Sequence, residues 1–337
     1  MLKAKNKLQK LSKPIAVVGA GAWGTALALQ LARLNGDVRL WGHNPTHMQA
    51  MQQTRCNQSY LPDIIFPGTL IAYADLAEAL NGVNDILLVV PSHAIVQVLQ
   101  QLKPFINAQT SLVLATKGLD RSRLLHDVVR DELGDIKLGV LSGPSFAKEV
   151  ALNLPTAVVL ASEDETLCLE WQQAFHGGNF RAYTSTDVTG VEIGGAVKNI
   201  LAIATGMCDG LQLGANARCA LITRGLAEMT RLGLTLGASQ ETFMGLAGMG
   251  DLVLTCTDNQ SRNRRFGLAL GAGKDLVEAK AGSNVIEGAR AAVEIHHLAK
   301  QHKLDMPIVE QVYQVLQQQV TPKQAVENLL SRDPKAE

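Results

Sequence analysis

At 337 residues the chain is long for one hydrophobic core, and two domains are expected. Lys+Arg and Asp+Glu each total 31, hydrophobic residues are 47% and aromatics 4%, which describes a compact globule with no global field for nucleic acid or an acidic membrane. The 5 cysteines are scattered with no C-x-x-C pair, which argues against a disulfide frame, a zinc knuckle or any metal site, and for reduced thiols in a cytoplasm.

Residues 1–13 carry Lys3, Lys5, Lys7, Lys10 and Lys13 and lack the apolar stretch of a secretory signal, so a disordered basic tail is expected there. No later apolar run has the length of a membrane span without a charge or glycine break, so no span is expected. The apolar run Ile15–Val18, the turn Gly19-Ala20-Gly21-Ala22-Trp23-Gly24 and the helical spacing over 25–34 follow the order that a dinucleotide pyrophosphate requires. Gly19 permits the tight turn, Gly21 a close approach of backbone to diphosphate, and Gly24 a helix lying near the strand. Alone the pattern is weak; a strand before it and a helix after it favour a dinucleotide over a turn that serves only packing.

Val38–Trp41 reads as the second strand, whose end is where an adenosine ribose is expected. A carboxylate there would hold both ribose hydroxyls and repel a 2′-phosphate, but the sequence offers Gly42-His43-Asn44. NADP(H) is therefore expected ahead of NAD(H), with His43 and Asn44 as phosphate contacts; the plainer alternative for His43 is a surface imidazole. Continuous apolar runs over 86–90, 111–115 and 138–141 read as buried parallel strands, the first followed by a helix over 94–102. They end at Pro91-Ser92-His93, Thr116-Lys117-Gly118 and Ser142-Gly143-Pro144-Ser145. Ligands of open α/β sheets bind beyond the carboxyl ends of the strands, so these loops are expected to line one crevice, with Lys117 and Ser145 as candidates by position.

A strand over 157–160, a helix over Glu165–Phe175 and a strand over 180–183 complete the first domain. Beyond about Asp187 the periodicity turns helical, over 191–205, 216–232, 240–246, 263–270, 286–301 and 308–319. Thr321-Pro322-Lys323-Gln324 announces a last helix with a capping box. The expected fold is a Rossmann-type α/β dinucleotide-binding domain over 14–187 and an all-α substrate domain over 188–337.

Lys198 lies in Gly194-Gly195-Ala196-Val197-Lys198-Asn199, a stretch otherwise small and apolar. Each glycine costs roughly 1 kcal/mol against alanine in a helix, so something is expected to approach that face closely. A desolvated lysine there suits general acid–base work; a lysine that snorkels to water is the alternative. Asp251, after Gly248-Met249-Gly250, reads as a cap or turn residue, a holder of Lys198 or an acceptor for a substrate hydroxyl, and the sequence leaves all three open. Ser261 is an N-cap candidate, yet Arg262, Arg264 and Arg265 crowd the first turn, where the helix dipole disfavours each by ~0.3–1 kcal/mol. A bound anion would offset this, so 261–265 reads as a phosphate receptor.

Together with Trp41-Gly42-His43-Asn44-Pro45, Ala115-Thr116-Lys117-Gly118 and Ser142-Gly143-Pro144-Ser145-Phe146-Ala147-Lys148-Glu149, these motifs make the chain resemble, over about 14–330, the soluble NAD(P)-dependent glycerol-3-phosphate dehydrogenases of bacterial type. The resemblance implies an oxidoreductase that interconverts sn-glycerol 3-phosphate and dihydroxyacetone phosphate, supplying glycerophospholipid synthesis. Lys198 then matches the proton acceptor and donor, Lys117 a second lysine near substrate and cofactor, and Gly143, Ser145, Asp251, Ser261, Arg262 and Asn263 substrate contacts. Trp23, His43, Ala147, Val285 and Glu287 match cofactor contacts, with Lys117 and Arg262 shared. The chain departs from many members at Ala22, where serine is common, so one hydroxyl bond to the diphosphate is lost while backbone donors remain. A homodimer is the default expectation for such enzymes. The rivals are a related dehydrogenase of hydroxy acids or ketopantoate, and a non-catalytic dinucleotide sensor.

Overall fold

A computed structural model describes residues 14–280 and 286–333; the tail expected over 1–13 and the contact expected at Val285 lie outside the described residues. The chain divides into two compact units. The first holds the residues up to Thr116, His126–Leu141 and Ser145–Val188, and the second takes Lys117–Leu125 and Ser142–Pro144 together with everything from Thr189 on.

In chain order the strands are β1 (Ile15–Val18), β2 (Val38–Trp41), β3 (Cys56–Asn57), β4 (Leu61–Ile65), β5 (Leu70–Tyr73), β6 (Asp85–Leu88), β7 (Ser111–Leu114), β8 (Lys137–Ser142), β9 (Thr156–Ala161) and β10 (Phe180–Ser185). β3 and β4 form an antiparallel pair, and the rest form one eight-stranded sheet in the order β10-β9-β8-β7-β6-β1-β2-β5. From β5 to β8 every neighbouring pair is parallel, as is β9 with β10. The end of β9 lies beside the start of β8, where Ser162 Oγ donates to the Leu138 carbonyl at 2.6 Å, so the outer pair runs against the other six. All four residues of β1, β6 and β7 are buried, as their continuous apolar runs require of strands covered on both faces.

The first unit's helices are α1 (Ala22–Leu34), α2 (Pro45–Thr54), α3 (Leu76–Leu80), α4 (Ile95–Leu102), α5 (Leu125–Leu133), α6 (Ala147–Ala151) and α7 (Glu165–Phe175). α1 packs against α6 and α7, and Leu27, Leu31, Trp171 and Phe175 anchor this core. β3, β4, β5, α2, α3, α5 and α6 add to the elements expected from the sequence. β5 escaped because its residues alternate between buried and exposed over a mere four positions, which is no continuous apolar run.

The second unit is helical: α8 (Val188–Gly210), α9 (Gly214–Thr235), α10 (Gln240–Met244), α11 (Asp251–Thr257), α12 (Arg262–Gly271), α13 (Leu276–Lys280), α14 (Glu287–Gln301), α15 (Pro307–Leu316) and α16 (Pro322–Leu330). α8 is its spine. By length and composition alone it could cross a membrane, but its apolar window is 100% buried. A Cβ at Gly206 would fall on the Arg264 carbonyl and one at Gly267 on the Ile203 carbonyl, so α8 and α12 cross with their backbones nearly touching. α16 opens with the expected capping box between Thr321 and Gln324.

Candidate active site

The chemistry of the second unit gathers on one carboxylate. Asp251 is the first residue of α11 and 1% exposed. Its Oδ1 accepts from Lys198 Nζ at 2.6 Å and its Oδ2 from Lys117 Nζ at 2.9 Å. The expected glycine turn before it is a π-helical turn, Leu246–Gly250, that runs straight into α11. Such single π turns recur at functional sites.

Lys198 sits at mid-helix on α8, 6% exposed, and also donates to Thr255 Oγ1 at 3.0 Å. An ammonium has three N–H donors, so one direction remains for a substrate oxygen. Thr255 is held in turn, donating to the Asp251 carbonyl one helical turn back at 2.6 Å. Sequence reading passed over Thr255; its signal was the i,i+4 spacing from Asp251, legible only to a reader who already has α11.

Burial pushes the Lys198 ammonium down; the Asp251 carboxylate works against this and the Lys117 charge with it, leaving a pKa of about 8. Burial alone would raise the Asp251 carboxyl, but the two lysines outweigh it and hold the group below its usual range, charged. What approaches the two glycines of α8 is now visible. A Cβ at Gly194 would strike the Ala247 carbonyl, and one at Gly195 would lie 3.0 Å from Ser142 Oγ and 3.6 Å from Lys117 Cγ. Gly143 reaches the same group, since its carbonyl accepts from Lys117 Nζ at 3.5 Å.

The arginine-rich turn resolves differently from the expectation of one three-arginine receptor. Ser261 caps α12, its Oγ accepting from Arg264 N at 3.2 Å. Arg264 is buried and pairs with Asp209 at 2.7 Å, and Arg265 donates to the Asn259 and Gln260 carbonyls. Arg264 Nε and Nη1 stay buried without a hydrogen-bond partner among the described residues, Arg265 meets only uncharged carbonyls, and Arg262 is exposed at the first position of α12. Asn263 donates to Asn199 Oδ1 at 2.9 Å and accepts from Gly288 N at 2.9 Å, which ties α8, α12 and α14 together and leaves one amide N–H for a ligand. Glu287 is the first residue of α14.

In the first unit the glycine turn has the shape a diphosphate needs. Gly19 has φ +127°, where any Cβ would also press on the Val89 carbonyl, and a Cβ at Gly24 would fall on the Gly19 carbonyl. Gly21 has nothing within 4 Å of its Cβ position, and the N-terminus of α1 has no side-chain cap. Ala22 and Trp23 open the helix, and Trp23 packs part-buried against the core. Gly19 N donates to the Trp41 carbonyl at 2.8 Å, which brings the end of β2 level with this turn. His43 is exposed there, but the Asn44 side-chain oxygen caps α2, accepting from His47 N at 3.1 Å. Asn44 is thus a helix cap, and His43 carries the phosphate expectation. Ser145 and Ala147 are both part-buried, Ala147 at the first position of α6. The donor set fits a dinucleotide.

Two family models match the chain: the N-terminus of NAD-dependent glycerol-3-phosphate dehydrogenase over residues 14–168 and its C-terminus over 187–327. The chain belongs to the NAD-dependent glycerol-3-phosphate dehydrogenase family. Relatives named glycerol-3-phosphate dehydrogenase [NAD(P)+] include one from Coxiella burnetii, 54% identical over 98% of this chain and 100% of its own length. Another, from Serratia proteamaculans, is 54% identical over 98% of this chain and 99% of its own. The crystal structure of the Coxiella burnetii glycerol-3-phosphate dehydrogenase superposes with a TM-score of 0.93 at 54% identity, covering 95% of this chain and 99% of that one. A cavity of about 500 Å³ in the second unit, between α8, α9, α15 and α16, takes in none of the residues grouped on Asp251.

Proposed function

We propose that the chain reduces dihydroxyacetone phosphate to sn-glycerol 3-phosphate, reversibly, with NADP(H) preferred over NAD(H). The observation that carries this reading is Asp251 holding two lysines, one of them nearly buried with a pKa of about 8. A bound nicotinamide supplies or accepts hydride at the substrate's C2 carbon. Every other part of the reaction falls to this chain's side chains.

Lys198 directs its remaining N–H at the C2 oxygen. In reduction it donates a proton to that oxygen and stabilises the charge developing on it; in oxidation the neutral amine removes the hydroxyl proton. Asp251 orients Lys198 and keeps it charged enough to act as an acid, and Thr255 fixes its azimuth. Lys117, sharing Asp251, adds positive potential beside the same oxygen. Arg262 and the free amide N–H of Asn263 bind the substrate phosphate. The glycine turn holds the cofactor diphosphate through backbone donors, and His43, with no carboxylate beside it, accepts a 2′-phosphate.

Family membership favours this over a hydroxy-acid or ketopantoate reductase, and a non-catalytic sensor would have no use for a buried lysine pair. The reading extends to a cytoplasmic homodimer that feeds glycerophospholipid synthesis. Mixing the protein with dihydroxyacetone phosphate and either NADPH or NADH, and following nicotinamide absorbance, tests it; no oxidation of either nucleotide would refute it.

A further inference from the structure

Ser142 ends β8 and is 2% exposed, and its Oγ has no hydrogen-bond partner among the described residues. A buried hydroxyl left unpaired destabilises a fold, so a site that keeps one keeps it for a partner that arrives from outside. Its surroundings narrow the choice. Ser142 Oγ lies 3.0 Å from the Cβ position of Gly195, which is itself 3.6 Å from Lys117 Cγ. The hydroxyl therefore sits against α8 and beside the Lys117 stem. Lys198 follows Gly195 by three residues and so lies on the same face of the helix. The residue after Ser142 is Gly143, whose carbonyl accepts from Lys117 Nζ.

We propose that Ser142 is a further substrate-binding residue and that its hydroxyl bonds the C1 hydroxyl of dihydroxyacetone phosphate. This rests on the reading above, in which Lys198 takes the C2 oxygen and Arg262 with Asn263 the phosphate. Those assignments name no partner for the C1 hydroxyl. Serine matches it because a hydroxyl both donates and accepts, so the pair works in either direction of the reaction. A site built this way rejects an analogue that lacks the hydroxyl, because the protein's own oxygen is then left buried and unpaired.

The test compares wild type with Ser142→Ala on dihydroxyacetone phosphate and on hydroxyacetone phosphate, which carries a methyl in place of the C1 hydroxymethyl group, and records each protein's thermal midpoint without ligand. Wild type should prefer dihydroxyacetone phosphate in kcat/KM, and the alanine variant should lose about tenfold of that preference. Its midpoint should stay level or rise, since deleting an unpaired buried hydroxyl removes a cost from the free protein. A preference that survives the substitution overturns the proposal, as does a lowered midpoint with preference intact, which would make the hydroxyl the anchor of an internal water. The wild-type measurement keeps the two readings apart: an active wild type with an indifferent Ser142→Ala variant refutes the Ser142 assignment alone, whereas a wild type inactive on both substrates refutes the function proposed for the site.

Discussion

Lys198 Nζ lies 2.6 Å from Asp251 Oδ1, and the carboxylate it meets is shared with Lys117 through the other oxygen. One anion thus serves two ammonium groups in a nearly dry place. Removing one partner from a buried ion pair leaves an uncompensated charge, which costs about 3–5 kcal/mol. Asp251→Asn keeps the shape and deletes the charge, so its first expected effect is a lower unfolding free energy in denaturant titration. Its second is chemical. Without the anion that raises it, Lys198 should titrate below its present value of about 8, and the pH at which ketone reduction falls off should move down with it. A variant with unaltered pH dependence would contradict the role given to Asp251.

Lys198 itself sets the pH dependence of the unaltered enzyme. Reduction needs the ammonium and oxidation the neutral amine, so kcat for reduction should decline as pH rises through about 8 while kcat for oxidation climbs over the same interval. Lys198→Met fills the space without a proton to give and should lower turnover by about 10²–10⁴-fold, with the Kd for NADPH nearly unchanged in a fluorescence titration. Near-normal turnover would remove Lys198 from the mechanism.

Much of this arrangement was legible in the sequence, and what was not follows from distance along the chain. Continuous apolar runs marked β1, β6, β7 and β8 because parallel strands are buried on both faces. Lys198 stood out as a charge among glycines and alanines. Three readings of Asp251 stayed open because Gly248-Met249-Gly250 looks like a turn, whereas packing against the Phe243 backbone keeps Gly248 in a π-helical one. The pairing inside the arginine cluster was not legible because Asp209, the partner of Arg264, lies on α8, with α9, α10 and α11 between them in sequence. Local spacing shows a dipole conflict at α12; the group that relieves it can come from anywhere in the fold.

His43 tests the cofactor side. His43→Asp puts a carboxylate at the end of β2, beside the glycine turn, where it would repel a 2′-phosphate and accept from ribose hydroxyls. The ratio of kcat/KM for NADPH to that for NADH should fall by about 10–100-fold, equivalent to roughly 1.4–2.8 kcal/mol of discrimination. The KM for dihydroxyacetone phosphate should hardly move. A ratio indifferent to the substitution would take the 2′-phosphate away from this loop.

Glu228 gives a stability signature apart from catalysis. It is 3% exposed on α9, and its two oxygens accept from Ile308 N at 2.7 Å and Val309 N at 3.2 Å, capping α15 from another helix. Burial pushes its pKa up from 4.5 to about 7; the two backbone donors and Arg231 oppose this, and Asp305 adds to it. A carboxyl whose folded pKa exceeds its unfolded one favours the fold while protonated. Its contribution is complete below about 4.5 and is lost as pH rises through about 7. The shift corresponds to about 3 kcal/mol across that window. Glu228→Gln keeps an acceptor for α15 and removes the titration, so the unfolding free energy of wild type should fall relative to the variant between pH 5 and pH 8, by up to about 3 kcal/mol. Parallel curves across that range would mean that the carboxyl stays ionised in the fold, with the α15 N-terminus compensating its burial in full.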